Sequence, residues 1–172
     1  LRAGHPADDP QPLGGLIDTA TAGRVKALVE DARTAGASII LEGKAEGAIM
    51  QASVVANVTQ DMRIWSEESF GPVVCLIRAN DDDHAIELAN DTDYGLTAAV
   101  YGSDISRAMK VADAIEAGMC HINGPTVYDE PQMPFGGVQD SGYGRFGGTF
   151  GIDSFTEVKW LTINSEPIHF PI

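Results

Sequence analysis

The stretch from Val73 to Ile122 constrains the fold most, because apolar runs alternate there with amphipathic segments. Val73–Arg78 opens with five apolar residues in a row, the pattern of a strand buried on both faces. Asp81, Asp82 and Asp83 then precede a helical stretch that turns Ala85, Ile86 and Ala89 inward. Thr97–Tyr101 reads as a second strand. Ser103 or Asp104 caps a second helix, with Ala108, Val111, Ala112 and Ile115 on one face and Gly118 as its stop. Met119–Ile122 closes the series as a third strand. Strand, helix, strand, helix, strand implies right-handed crossovers and parallel pairing. The expected class is therefore α/β, a parallel-stranded open sheet with flanking helices.

Upstream of this rhythm, residues 1–16 are rich in Pro, Gly and Asp and read as a loop. Asp18 or Thr19 caps a helix that places Val25, Leu28, Val29 and Ala32 on one face, and Gly36 ends it. Ser38–Leu41 and Ile49–Ala56 are strand candidates. Downstream, residues 124–151 form a long Gly- and Pro-rich stretch. Loops of this length are functional or disordered, and the rings of Tyr128, Phe135, Tyr143, Phe146 and Phe150 favour order. Ser154–Asn164 is β-prone and has no evident partner strand in the chain.

Charge narrows the partners. Eleven basic against 25 acidic residues leave a net charge of -14, a field that repels nucleic acid and anionic membranes. No apolar run reaches the roughly 20 residues that span a bilayer. The start, Leu1–Pro6, holds no apolar signal segment, and without an initiating Met the expectation is a piece of a longer or processed product. Cys75 and Cys120 sit in apolar runs and read as reduced core thiols of a cytoplasmic protein.

Three ordered blocks carry a resemblance. They are Glu67-Glu68-Ser69-Phe70-Gly71-Pro72-Val73, then Asn90–Val100 with Tyr94-Gly95-Leu96 at its centre, then Pro134-Phe135-Gly136-Gly137 continuing to Ser141-Gly142-Tyr143-Gly144-Arg145. The set resembles the aldehyde dehydrogenase superfamily, whose forms are E-E-x-F-G-P-V, N-x-x-x-Y-G-L-x-A-x-V and P-F-G-G-x-x-x-S-G-x-G-R. His121–Thr126 and Gly144–Gly148 look like the branch acting on aromatic aldehydes, the salicylaldehyde and vanillin dehydrogenases. The resemblance covers essentially the whole chain.

It implies an NAD- or NADP-dependent oxidoreductase that converts an aromatic aldehyde to its acid. Glu68 matches the Glu that binds the nicotinamide-ribose hydroxyls, since a carboxylate offers two oxygens to a vicinal diol. Phe70 and Leu96 match residues bounding the nicotinamide ring. Thr126, Val127, Tyr128 and Phe135 fall where the family builds its substrate pocket. The plainer alternatives are a solvated charge for Glu68, core packing for Phe70 and Leu96, and ring anchors for the loop. Gly136, Gly137, Gly142 and Gly144 serve positive φ and close approach. Arg24 matches a family Lys near the adenosine ribose, or is a solvated helix charge.

The family's nucleophilic Cys, general-base Glu and dinucleotide-binding domain match segments preceding Leu1, and no G-x-G-x-x-G opens a helix here. Cys120, at the end of a strand near the pocket loop, is the candidate substitute thiol. No metal is expected: His84 beside Asp81–Asp83 fits helix capping better than a ligand set. Residues 1–152 are expected to form a partial catalytic domain. Residues 153–172 are expected to form an oligomerisation strand and tail that joins a neighbouring copy. The alternative function is a non-catalytic fragment for substrate binding and oligomerisation.

Overall fold

The computed structural model describes residues 1–8 and 10–169. It divides into two units, Leu1–Thr92 and Asp93–Ile172.

In the first unit, α1 (Thr19–Thr34) starts at Asp18, whose side chain accepts from the Thr21 amide at 2.6 Å. Its buried face is Ala22, Val25, Leu28, Val29 and Ala32, the stripe predicted by the spacing plus one further turn. Past the helix end Gly36 adopts φ 105°, and the Ala37 amide returns to the Ala32 carbonyl at 2.9 Å. Then β1 (Ser38–Leu41), the short strands β2 (Ala45–Glu46) and β3 (Ile49–Met50), and β4 (Ser53–Ala56) follow. The expected single strand over Ile49–Ala56 is broken at Gln51. Its amide donates to Lys44 at 2.9 Å and its side chain exchanges two hydrogen bonds with the Ala3 backbone. A four-residue helix, α2 (Arg63–Ser66), leads to β5 (Val73–Leu76) and on to α3 (Asp82–Asn90). Asp81 caps α3, accepting from the His84 amide at 2.9 Å.

The sheet order is β1-β4-β5, with β1–β4 antiparallel and β4–β5 parallel. Its core packs Leu28, Val29 and Ala32 of α1 against Val55, Val58, Met62 and Ile64, with Val73 and Cys75 at the margin. Leu28 is 1% exposed, so its burial stabilises the unit by about 1.5–3 kcal/mol. The expectation that β5 is buried on both faces is corrected. Val74 is 57% and Leu76 49% exposed, while Val73 and Cys75 face the core. A strand's side chains alternate, and α1 covers only one face of this sheet. In α3, Ala85 and Ile86 are half-buried as expected, but Ala89 is exposed and Leu88 takes the inner position.

In the second unit, β6 (Tyr94–Gly95) precedes β7 (Thr97–Val100), α4 (Ile105–Ala114) and β8 (Met119–Ile122). Asp104 caps α4 through the Arg107 amide at 3.0 Å, and Ala108 is its buried residue. β7 and β8 pair in parallel, as the strand–helix–strand reading requires. Within each unit one parallel pair forms, β5 with β4 in the first and β7 with β8 in the second. Two elements close the chain, β9 (Val138–Gln139), antiparallel to β6, and α5 (Gly148–Ser154). The expected β-prone segment begins inside α5, and Phe155–Asn164 pairs with no strand among the described residues. Residues 170–172 of the expected tail lie outside the described residues.

Candidate functional site

The first group of candidate residues lies on the segment between α2 and β5. Glu67 and Glu68 are neighbours in sequence with different environments. Arg63 donates to the Glu67 carboxylate at 2.8 Å, and Arg24 pairs with it at 3.6 Å. The Glu68 carboxylate is exposed and accepts no hydrogen bond among the described residues, while its backbone carbonyl accepts from Arg24 at 3.2 Å. Phe70 follows with φ 45°, a left-handed backbone uncommon for a bulky residue, and its side chain is 72% exposed. A strained backbone carrying an outward ring is the opposite of ordinary core packing. The segment then enters β5 through Pro72, whose carbonyl accepts from the Ser53 amide at 2.8 Å.

A second group surrounds a cleft of about 330 Å³ in the second unit, lined by Met119, Cys120, His121, Tyr128, Glu130 and Met133 among others. The Tyr128 ring meets His121 edge to face, centroids 6.0 Å apart and planes at 78°. Its hydroxyl donates to Glu130 at 2.5 Å, and that acceptor pushes the phenol above its ordinary range. The Glu130 carboxylate also accepts from Gln132. His121 Nε2 is buried without a hydrogen-bond partner among the described residues. Burial pushes the Cys120 thiol up, a hydrogen bond from the His121 backbone opposes this, and the Asp113 charge adds to the rise. Burial alone raises the Cys75 thiol.

Of the four residues expected in the substrate pocket, Tyr128 lines this cleft and Thr126, Val127 and Phe135 do not. Thr126 is exposed and its carbonyl accepts from Thr97 at 3.2 Å; Val127 is 89% exposed. Phe135 follows Pro134, itself a lining residue, and is held by a bridge to Phe146. Leu96 sits between β6 and β7, its carbonyl accepting from the Met119 amide at 3.1 Å. The Gly-rich loop is ordered around Arg145, which donates to the Gly137 and Gly144 carbonyls at 2.8 and 2.7 Å. Gly142 and Gly144 have positive φ, and Gly136 and Gly137 make close approaches, as anticipated.

Three contributors were not read from the residues: Glu130 and Met133 at the cleft, and Arg145 within the loop. The two-residue spacing of Tyr128 and Glu130 was the available signal for the first. Among the described residues no group of His, Cys, Asp and Glu could hold a metal ion, and no helix is long and apolar enough to cross a membrane.

Comparison with known proteins matches residues 1–161 to the aldehyde dehydrogenase family. A vanillin dehydrogenase of Pseudomonas sp. (strain HR199 / DSM 7063) is 49% identical over 172 residues, all of this chain and 36% of that protein. The crystal structure of a salicylaldehyde dehydrogenase from Pseudomonas putida G7 complexed with salicylaldehyde superposes with a TM-score of 0.83 at 45% identity. It covers 90% of this chain and 32% of its own. An aldehyde dehydrogenase of Mycobacterium tuberculosis complexed with NAD+ gives 0.84 at 34% identity, over 91% and 33% of the two chains. The chain thus spans about a third of the length of these relatives. It belongs to the aldehyde dehydrogenase family.

Proposed function

We propose that this chain works as part of an enzyme that oxidises an aromatic aldehyde of the salicylaldehyde or vanillin type to its carboxylic acid, with NAD or NADP as hydride acceptor. The observation that carries the reading is the unpartnered Glu68 carboxylate two residues before the outward Phe70 ring. A free carboxylate suits a ribose diol and a projecting ring suits a planar heterocycle, so these residues fit a nicotinamide nucleotide. When bound, the nucleotide supplies the hydride acceptor. Leu96 is assigned to the same ring on the family motif alone.

On the substrate side, the Tyr128–His121 pair offers ring edges and faces to an aromatic aldehyde. Thr126, Val127 and Phe135 are assigned to the pocket by family position. The reaction needs a thiolate to attack the carbonyl and water to release the acid. The family's nucleophile and base match no residue of this chain. Burial disfavours a thiolate at Cys75 and at Cys120, which weighs against Cys120 as a substitute nucleophile. We assign residues 1–152 to the catalytic domain and 153–172 to an oligomerising tail that pairs with a second copy. Two free thiols support a cytoplasmic location.

The protonated thiols also favour a second reading, a module that binds aromatic aldehydes or acids without turning them over. One assay separates the two. The intact polypeptide carrying this segment is mixed with NAD+ and with salicylaldehyde, vanillin or an aliphatic aldehyde, following the reduced cofactor. Aromatic substrates should lead in kcat/KM by about tenfold or more, a margin set by pocket fit. The Cys75→Ala and Cys120→Ala variants should keep the turnover. An aliphatic preference removes the substrate class, and no turnover with intact aromatic-acid binding leaves the module.

A further inference from the structure

We propose that Arg24 is a positioning residue that clamps the Glu67–Gly71 segment to α1 and so aims the Glu68 carboxylate and the Phe70 ring. The inference rests on the cofactor reading of Glu68 and Phe70 given above. It gives Arg24 a different job from either sequence reading, which placed it near an adenosine ribose or in solvent.

Arg24 stands in the second turn of α1, at the rim of the buried stripe. Its guanidinium spans two consecutive backbone carbonyls, Nη1 to Glu68 at 3.2 Å and Nη2 to Ser69 at 2.5 Å. Nη1 also lies 3.6 Å from the Glu67 carboxylate. One planar fork therefore touches three residues in a row. Arginine can do this because its donors are fixed in one plane, whereas an ammonium is a point donor. Those carbonyls lie outside any helix or strand and would otherwise turn to water.

The next helix residue makes a second attachment. Val25 is 0% exposed, and a Cβ on Gly71 would come within 2.7 Å of its Cγ2. Gly71 therefore packs closer to the helix than any other residue could. Arg24 holds the segment by polar contacts on one side of Phe70, and Val25 holds it by packing on the other. Phe70 is caught between them at φ 45°, a conformation that persists only where its surroundings fix it. Arg63 and Arg24 together occupy Glu67, which leaves Glu68 as the carboxylate free to bind.

The test uses the intact polypeptide carrying this segment, with Arg24→Ala, Arg24→Lys, Glu68→Gln and, as a control on α1, Arg33→Ala. Hydrogen exchange of the amides in 67–73 other than Pro72, which has none, reads the clamp without cofactor, and KM for NAD+ against kcat reads its consequence. Arg24→Ala should speed that exchange and raise the KM for NAD+, each about tenfold, the scale of one lost charge-assisted hydrogen bond. The kcat should stay within about threefold, because the lost contact orders a binding group and not the reacting atoms. Arg24→Lys should recover less than half of the loss, and Arg33→Ala should change neither readout. If Arg24→Ala does not fold, Arg24→Lys carries the test, with faster exchange at 67–73 and normal protection at Leu28 expected. Unchanged exchange in both Arg24 variants overturns the clamp. Faster exchange with an unchanged KM, while Glu68→Gln raises it, overturns the positioning role. An unchanged KM in Glu68→Gln removes the cofactor reading itself, and the positioning role with it.

Discussion

Phe135 and Phe146 exchange a pair of backbone hydrogen bonds, each 2.8 Å long, and so close the Gly-rich loop on itself. The neck is narrow: a Cβ on Gly136 would lie 2.5 Å from the Gly144 carbonyl oxygen and 2.9 Å from Arg145 Cδ. Gly136→Ala should therefore open the bridge that fixes Phe135. The expected cost is about 1–3 kcal/mol from overpacking, seen as a lower midpoint in urea unfolding. An unchanged midpoint would mean the loop relaxes freely and does not hold Phe135 in place.

What could be read in advance was local. Asp18, Asp81 and Asp104 cap their helices because a cap depends on a side chain and an amide three residues on. The inner face of α1 followed from spacing alone. Strand partners did not. β4 and β5 pair across a sixteen-residue connection holding a four-residue helix too short for periodicity to register. Helix α5 was hidden by Gly148 and Gly151, which lower helix propensity. At the candidate site the motifs marked Glu68 and Phe70. They marked Arg24 too but not its contacts with the Glu68 and Ser69 carbonyls, because a backbone partner leaves no trace in residue identity.

Tyr128 offers a ring to the cleft and a hydroxyl to Glu130. Replacing it with Phe keeps the ring, so the KM for an aromatic aldehyde should stay within about twofold; Tyr128→Ala should raise it about threefold to tenfold. Glu130 raises the phenol, so the hydrogen bond is complete below the ordinary tyrosine range. It is lost only as pH rises through the raised value, and this group adds no step to the pH–rate profile near neutrality. A neutral-pH step that vanishes in Tyr128→Phe would contradict that assignment.

The segment after α5 exposes Val158 at 100% and Trp160 at 91%, and its backbone from 157 to 164 has no hydrogen-bond partner among the described residues. If it pairs with a second copy, Val158→Lys with Trp160→Lys should weaken association about hundredfold by removing two apolar contacts and adding like charges. Light scattering of the intact polypeptide would show a lower mass at micromolar concentration. The same mass in wild type and variant places the contact elsewhere.

The two thiols give a chemical readout of the candidate nucleophile. Burial raises both, and the Asp113 charge adds to the rise at Cys120 against the pull of the His121 backbone. A raised thiol carries less thiolate at any pH below its folded value, and alkylation proceeds through the thiolate. At about pH 8.5, where an ordinary cysteine is half ionised, iodoacetamide should modify both residues more slowly in the folded chain than in urea. Mass spectrometry of the two Cys peptides measures each rate separately. Cys120 reacting faster folded than unfolded would require a thiolate stabilised in the cleft. That result would restore Cys120 as a candidate nucleophile beside Tyr128 and His121.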